Sequence, residues 1–189
     1  MKRLLCGAAV AAALFVSASP SSAQVVNMTA TLTGAEETTA TPGVLGQLTG
    51  AVGTATVAVD ATNEEISVTL ALFNFATGTT AGHIHVGPRG IAGPVVINFP
   101  IPTGRTGDLP LTFRVGSAAF VARPEIGINT MQDAIQAIVG GGGYVNIHTS
   151  QFPAGEIRGQ LAVPEPATML LLAVGLASIT AYRIKRRPS

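Results

Sequence analysis

Apolar and polar side chains alternate with a period of two through much of the middle of this chain. Val26, Met28, Ala30 and Leu32 are interleaved with Asn27, Thr29, Thr31 and Thr33. Successive side chains on a strand leave opposite faces, so this spacing predicts a strand with one apolar face and one polar face. The pattern returns at Ile66, Val68, Leu70 and Leu72, and again at Leu109, Leu111, Phe113 and Val115. Thr54 to Val59 reads as a further strand, joined to Ile66 by Asp60-Ala61-Thr62-Asn63-Glu64, whose Asp and Asn suit a hairpin turn. Val95 to Phe99 is a short continuous apolar run and predicts a more deeply buried strand. Alternation with one solvated face belongs to antiparallel sheets. The expectation is an all-β domain, an antiparallel sandwich or barrel, with Ile66, Val68, Leu70, Leu111, Phe113, Val145 and Ile147 in its core.

One segment departs from period two. Met131, Ile135, Ile138 and Val139 follow helical spacing, Thr130 suits the N-cap, Asp133 falls in the first turn and Gly140 suits the stop. This predicts one short helix within Thr130 to Val139. Thr38 to Gly53, rich in Thr and Gly, reads as a loop with at most an edge strand, and the run Gly140 to Gly143 as a linker.

The two ends carry different patterns again. Lys2 and Arg3 precede an apolar run from Leu4 to Val16 and then small residues ending Ser21-Ser22-Ala23, the three-part form of a secretory signal cut between Ala23 and Gln24. At the other end, Val163-Pro164-Glu165-Pro166 leads into an uncharged run from Ala167 to Tyr182 and then a basic cluster from Arg183 to Arg187. A helix of that run would reach about 24 Å, slightly short of a bilayer core of ~30 Å, and Arg183 can extend it by snorkelling. The basic cluster holds this end in the cytoplasm. Three segments follow: a signal peptide with its helix at 1–23, a β domain at 24–162, and a C-terminal segment with a transmembrane helix at 163–189.

The charge balance changes once the ends are set aside. The chain of 189 residues has a net charge of +1, but six of its eleven Lys and Arg lie at the two ends. Between Gln24 and Ala162 stand five Arg (89, 105, 114, 123, 158) against nine acids (36, 37, 60, 64, 65, 108, 125, 133, 156). That middle is acidic, which argues against a nucleic-acid partner. With only 11% charged residues, 22 Gly and 12 Pro, coiled coils and charge-rich disorder are excluded as well. Cys6, the only cysteine, lies within the signal, so the exported domain stands on its core without disulfides.

Candidate chemistry concentrates on three histidines. Gly82-His83-Ile84-His85-Val86-Gly87 carries two and Tyr144-Val145-Asn146-Ile147-His148-Thr149 the third. Both segments read as strands, so His83 and His85 share one face, as do Tyr144, Asn146 and His148. With the aliphatic sides against the core, all three imidazoles project from the outer face, where neighbouring strands bring them together. Imidazole binds Zn, Cu and Ni well, and two His at i and i+2 form half a site. The plainer reading is three exposed histidines, each hydrogen-bonded to a carboxylate or to water. A metal site also needs outer partners for its rings, and Asp108, Glu125 and Glu156 are the acids placed to supply them. Three-His ligation is out of reach if His148 lies more than about 8 Å from both other rings.

Other schemes have less to stand on. Glu36 and Glu37 are adjacent, which predicts a solvated loop and no acid/base pair; Glu156 and Arg158 share a strand face and predict a surface ion pair. No Gly-x-Ser-x-Gly, phosphate loop or nucleophilic Cys is present, so no catalytic residue is assigned.

Several blocks also resemble known families. Thr31-Leu32-Thr33-Gly34-Ala35-Glu36-Glu37, Gly53-Thr54-Ala55-Thr56-Val57, Ala81 to Gly87, Gly93-Pro94-Val95-Val96, and Tyr144 to Thr149 through Pro153-Ala154-Gly155-Glu156-Ile157-Arg158-Gly159-Gln160-Leu161 resemble, in order, the blocks of the CHRD domain, named from chordin. That resemblance implies an antiparallel, Greek-key-like β-sandwich. Pro164-Glu165-Pro166 with its apolar run and basic tail resembles the PEP-CTERM sorting signal. This implies a Gram-negative bacterium making extracellular polysaccharide, cleavage near the motif by an exosortase-type protease, and delivery to the envelope, outer surface or exterior. His-x-His before a Gly-rich loop is also similar to the copper-binding strand of Cu,Zn superoxide dismutase, a related β architecture. That enzyme needs six His and an Asp for its two metals, and with three His this chain cannot build the dinuclear site. The function expected is therefore a non-enzymatic binding or structural module of the envelope or matrix. Its partners would be the export machinery, the exosortase-type protease, the membrane before processing, and extracellular polysaccharide or envelope components. The alternative is a mononuclear Cu or Zn protein, with redox chemistry on Cu, using His83, His85 and His148.

Overall fold

Eight strands join edge to edge in the order β5-β4-β7-β8-β1-β2-β3-β6, and every pairing in the ladder is antiparallel. The computed structural model describes residues 25–38 and 46–164. The signal segment with Ala23 and Gln24, Glu165 and Pro166 of the sorting motif, and the C-terminal apolar run with its basic tail lie outside the described residues. No helix among the described residues is long and apolar enough to cross a membrane.

The first half of the ladder follows the alternation directly. β1 (Val25–Thr33), β2 (Val52–Asp60) and β3 (Glu65–Phe75) pair in full register, from Val25↔Asp60 to Thr33↔Val52 and from Asp60↔Glu65 to Val52↔Phe73. Met28, Leu32, Val57, Val59, Ile66, Val68, Leu70 and Leu72 are buried, and the Thr and Ser positions between them are mostly exposed. The turn after β2 is held as its composition implies, with Asp60 Oδ1 accepting from the backbone N–H of Thr62 and Asn63.

β6 (Gly107–Val115) completes this half beside β3. Leu111 and Phe113, expected in the core, are only half-buried, whereas Leu109 and Val115 are buried. The reason is position: β6 ends the ladder, so its central side chains have a packed strand on one flank only. Phe113 rests on Phe99 with ring centroids 5.1 Å apart.

The second half comprises β4 (Thr79–Val86), β5 (Val95–Asn98), β7 (Gly143–Thr149) and β8 (Ile157–Gln160). It joins the first through Thr33↔Arg158 and the bridge Thr29↔Ala162. Ile84, Val96, Ile97, Val145, Ile147 and Ile157 enter the same core cluster as Met28, Leu32 and Leu70, so both halves share one apolar interior. Burial of such side chains, about 25 cal/mol per Å² of apolar surface, is what holds this cysteine-free domain together.

The short helix falls where its pattern predicts. α1 (Met131–Ala137) starts at Thr130, whose hydroxyl accepts from the Asp133 N–H while the Asp133 carboxylate accepts from the Thr130 N–H. Met131, Ala134, Ile135 and Ile138 face the core. The expected stop at Gly140 is displaced by one residue. The last turn widens over Ile138–Gly142, and Gly141 takes the left-handed conformation at φ 89°. The glycine run is therefore the helix exit and the first residue of β7, not a linker.

Candidate metal centre

β4 lies between β5 and β7, and Cα pairing sets His83 opposite Asn146 and His85 opposite Tyr144. Ile84 on β4, with Val145 and Ile147 on β7, fills the core side at 0% exposure, which sends His83, His85, Tyr144, Asn146 and His148 to the other face. The sequence reading put that face in solvent; the structure corrects this. All seven residues of β7 are buried, His85 and His148 are each 8% exposed, and His83 is half-buried. The loops that follow β4 and β7 fold back over the face, and their carbonyls hold the rings.

Those carbonyls also define the tautomers. His85 Nδ1 is 2.8 Å from Gly93 O and His148 Nδ1 is 3.0 Å from Pro153 O. A carbonyl only accepts, so both Nδ1 atoms carry the proton and both Nε2 atoms present lone pairs. His148 Nε2 lies 3.1 Å from His83 Nδ1. His85 Nε2 is buried with no hydrogen-bond partner among the described residues. One ligand nitrogen from each of the three residues lies within 4.8 Å of the others. His148 has ring centroids 4.9 Å from His83 and 6.0 Å from His85, well inside the 8 Å bound.

The rings are held neutral. Burial pushes His83 down to about 4, helped by the charges that His148 and His85 would carry. Burial likewise lowers His85 to about 4 against the opposing Gly93 hydrogen bond, with His148, Arg158 and Arg123 adding to the shift. Burial lowers His148 too, opposed by the Pro153 hydrogen bond. At neutral pH all three are therefore neutral imidazoles, each with one N–H and one lone pair, the form that ligates metal.

The acids proposed as outer partners do not serve. Asp108 accepts from the Asn74 N–H, Glu125 is exposed at the turn Pro124–Ile126, and Glu156 accepts from Thr49 Oγ1 at 2.5 Å and Thr149 Oγ1 at 2.6 Å. Backbone carbonyls of Gly93 and Pro153 take that role. Nor do Glu156 and Arg158 form a surface ion pair. Both are 1% exposed, and Arg158 donates to Ile91 O and Pro88 O, each at 3.0 Å, with its guanidinium carbon 3.4 Å above the Tyr144 ring. Adjacent strand faces do not reveal which of two like-facing side chains a returning loop will meet.

Glu36 and Glu37 part company as well. Glu36 pairs with Arg89 at the surface, which lowers its carboxyl pKa. Glu37, expected in a solvated loop, is 1% exposed, and burial raises its pKa. Its Oε2 and Asn146 Oδ1 are buried with no partner at hydrogen-bonding geometry among the described residues, the Asn146 amide lies close enough to oppose the rise, and both side chains approach Gly155. Gly155 has φ +135°, and a Cβ there would lie 2.5 Å from Glu37 Oε2 and 2.7 Å from the Asn146 amide, so only glycine lets this loop close over the pair. Tyr144, Asn146 and Arg158 are thus parts of the site that the sequence reading passed over. Tyr144 and Asn146 were legible, since they share the period-two face of His148.

An all-β domain carrying a covered, neutral imidazole trio on one sheet face is the class of protein these observations define. The CHRD domain model matches residues 28–161, and the chain belongs to that family. The PEP-CTERM protein-sorting motif matches residues 162–187. The protein is exported across the inner membrane, processed through an exosortase and sorted to the cell surface or exterior. Searches of the curated proteins and of the solved structures gave no match.

Proposed function

We propose that the exported CHRD domain is a metal-binding module of the bacterial envelope, holding one Cu or Zn ion through His83, His85 and His148. The observation that carries this is the convergence of three neutral imidazoles with one buried nitrogen, His85 Nε2, left without a hydrogen-bond partner among the described residues. An unpaired buried polar atom costs roughly 1–3 kcal/mol, and a bound cation removes that cost. Ligand nitrogens about 2.0–2.1 Å from one ion at tetrahedral angles sit roughly 3.3 Å apart. The His83 Nδ1–His148 Nε2 pair already has that spacing at 3.1 Å, a metal taking the place of the proton they share as His83 shifts its N–H to Nε2, and ring rotations bring the third nitrogen in from within 4.8 Å. An ion so held offers Lewis acidity and, as copper, a one-electron couple.

The architecture read into this proposal is a Greek-key-like β-sandwich, supported by the single core between the two halves of the ladder. The mature chain would begin at Gln24, after Ala23, and be cut at Pro164-Glu165-Pro166. Binding, not turnover, is the role favoured, in a matrix of polysaccharide and envelope components.

Metal analysis tests the reading. Protein dialysed against Zn(II) or Cu(II) and freed of excess should retain one ion per chain, and His85→Ala and His148→Ala should each lose it. Retention of less than a tenth of an ion by the wild type, or equal retention by the variants, would overturn it.

A further inference from the structure

β7 lies between β4 and β8, so Tyr144 stands between a ring on one side and a cation on the other. His85 stacks on Tyr144 with centroids 4.9 Å apart and planes 15° from parallel. From the β8 side, the Arg158 guanidinium covers the ring at 3.4 Å. Among the described residues no carboxylate hydrogen-bonds to Arg158: its two terminal nitrogens donate to Pro88 O and Ile91 O, which spans the loop after β4, while Glu37 and Glu36 act on it only through charge. Two residues on, Gln160 Nε2 donates to Gly87 O at 3.1 Å and holds the start of the same loop. Its far end is held by Tyr144, whose hydroxyl accepts from the Gly93 N–H at 2.9 Å and donates to Gly93 O at 3.3 Å. Gly93 O is the atom that receives the His85 Nδ1 proton.

From these contacts we infer that Arg158, acting through Tyr144 and the loop 87–93, is the positioning residue that fixes the tautomer and orientation of His85. The chain of cause is short. A planar guanidinium with paired donors can grip two carbonyls of one loop and lie flat on an aromatic ring at once, and an ammonium cannot. Gripped there, the loop aims the Gly93 carbonyl at Nδ1, which keeps the proton on that atom and turns the lone pair of Nε2 toward His83 and His148. Arg158 is buried at 1% exposure, where its hydrogen bonds go to backbone carbonyls, its plane lies on a ring face, and the charges of Glu37 and Glu36 offset part of the cost of burying it. A ring that ligates through one nitrogen is regularly oriented by what its other nitrogen meets, and loss of such a partner weakens metal binding by about 10- to 100-fold.

The inference takes from the proposed function only that His85 Nε2 is the working atom, and the test separates the two. In the metal-free full chain labelled with ¹⁵N, two-bond ring spectra report directly which nitrogen of His85 bears the proton. Wild type should show a single Nδ1–H form; Arg158→Met should show a mixture or the Nε2–H form. Arg158→Lys, keeping the charge but not the fork, should fail to restore wild-type behaviour. Zn(II) affinity of Arg158→Met should drop by about tenfold or more. An unchanged His85 tautomer together with affinity within twofold of wild type would overturn the inference. Should Arg158→Met not fold, Tyr144→Phe decides in its place: it keeps the stack and removes only the grip on Gly93, and an unchanged tautomer there overturns the inference equally. Wild type that binds no ion while Arg158→Met alters the tautomer would sink the metal reading and leave the positioning role standing.

Discussion

Acidification should destabilise the metal-free domain through the same histidines that form the candidate site. In the unfolded chain a histidine titrates near 6.5, whereas burial holds His83 and His85 at about 4 in the folded state. Between those values the unfolded state binds more protons, so stability is undiminished above pH 6.5 and falls as the pH drops toward 4. For His85, 8% exposed, the drop from 6.5 to about 4 corresponds to about 3 kcal/mol once the pH is below both values, and to about 2 kcal/mol by pH 5.0. His83 is half-buried and solvent-screened, and contributes a smaller share in the same direction. Against a typical total of about 5–15 kcal/mol, the loss is large enough to read. Urea unfolding of chelator-treated protein at pH 7.5, 6.5, 5.8 and 5.0 measures it, with His85→Phe as the control that keeps a ring on Tyr144 but removes the titration. The midpoint should decline steadily below pH 6.5 in wild type and less steeply in the variant. Glu37 works in the opposite sense, because its raised pKa favours folding on acidification, and so it cannot produce the decline. A midpoint that stays flat from pH 6.5 to 5.0, or an equal slope in His85→Phe, would refute the account of the histidines as buried and neutral.

Gly155→Ala should destabilise the domain by about 2 kcal/mol or more, since the added methyl meets the Glu37 carboxylate and Asn146 amide in a backbone conformation at φ +135°; a melting temperature within a degree or two of wild type would contradict this. Mass spectrometry of the surface protein should place its first residue at Gln24 and its last near Pro166, and recovery of the intact tail from the inner membrane would instead mark a permanent anchor.

What the sequence settles alone is periodic. Alternation at residues 26–32, 66–72 and 109–115 specifies strands and their inward faces, because the pleat allows only one face per parity. The capping pair Thr130 and Asp133 with the spacing of Met131, Ile135 and Ile138 likewise specifies a helix, since its contacts lie three and four residues apart. Parity also put His83 with His85, and His148 with Tyr144, on common faces. Long-range placement was not legible in this way. That β4 neighbours β7, that loops after both strands cover the imidazoles, that Glu37 is buried and that Arg158 grips the loop 87–93 depend on contacts between residues far apart in sequence, from Arg158 with Pro88 to Glu37 with Gly155. No local pattern encodes such contacts, because a loop's carbonyls are chemically alike and only the packed fold decides which of them a buried side chain meets.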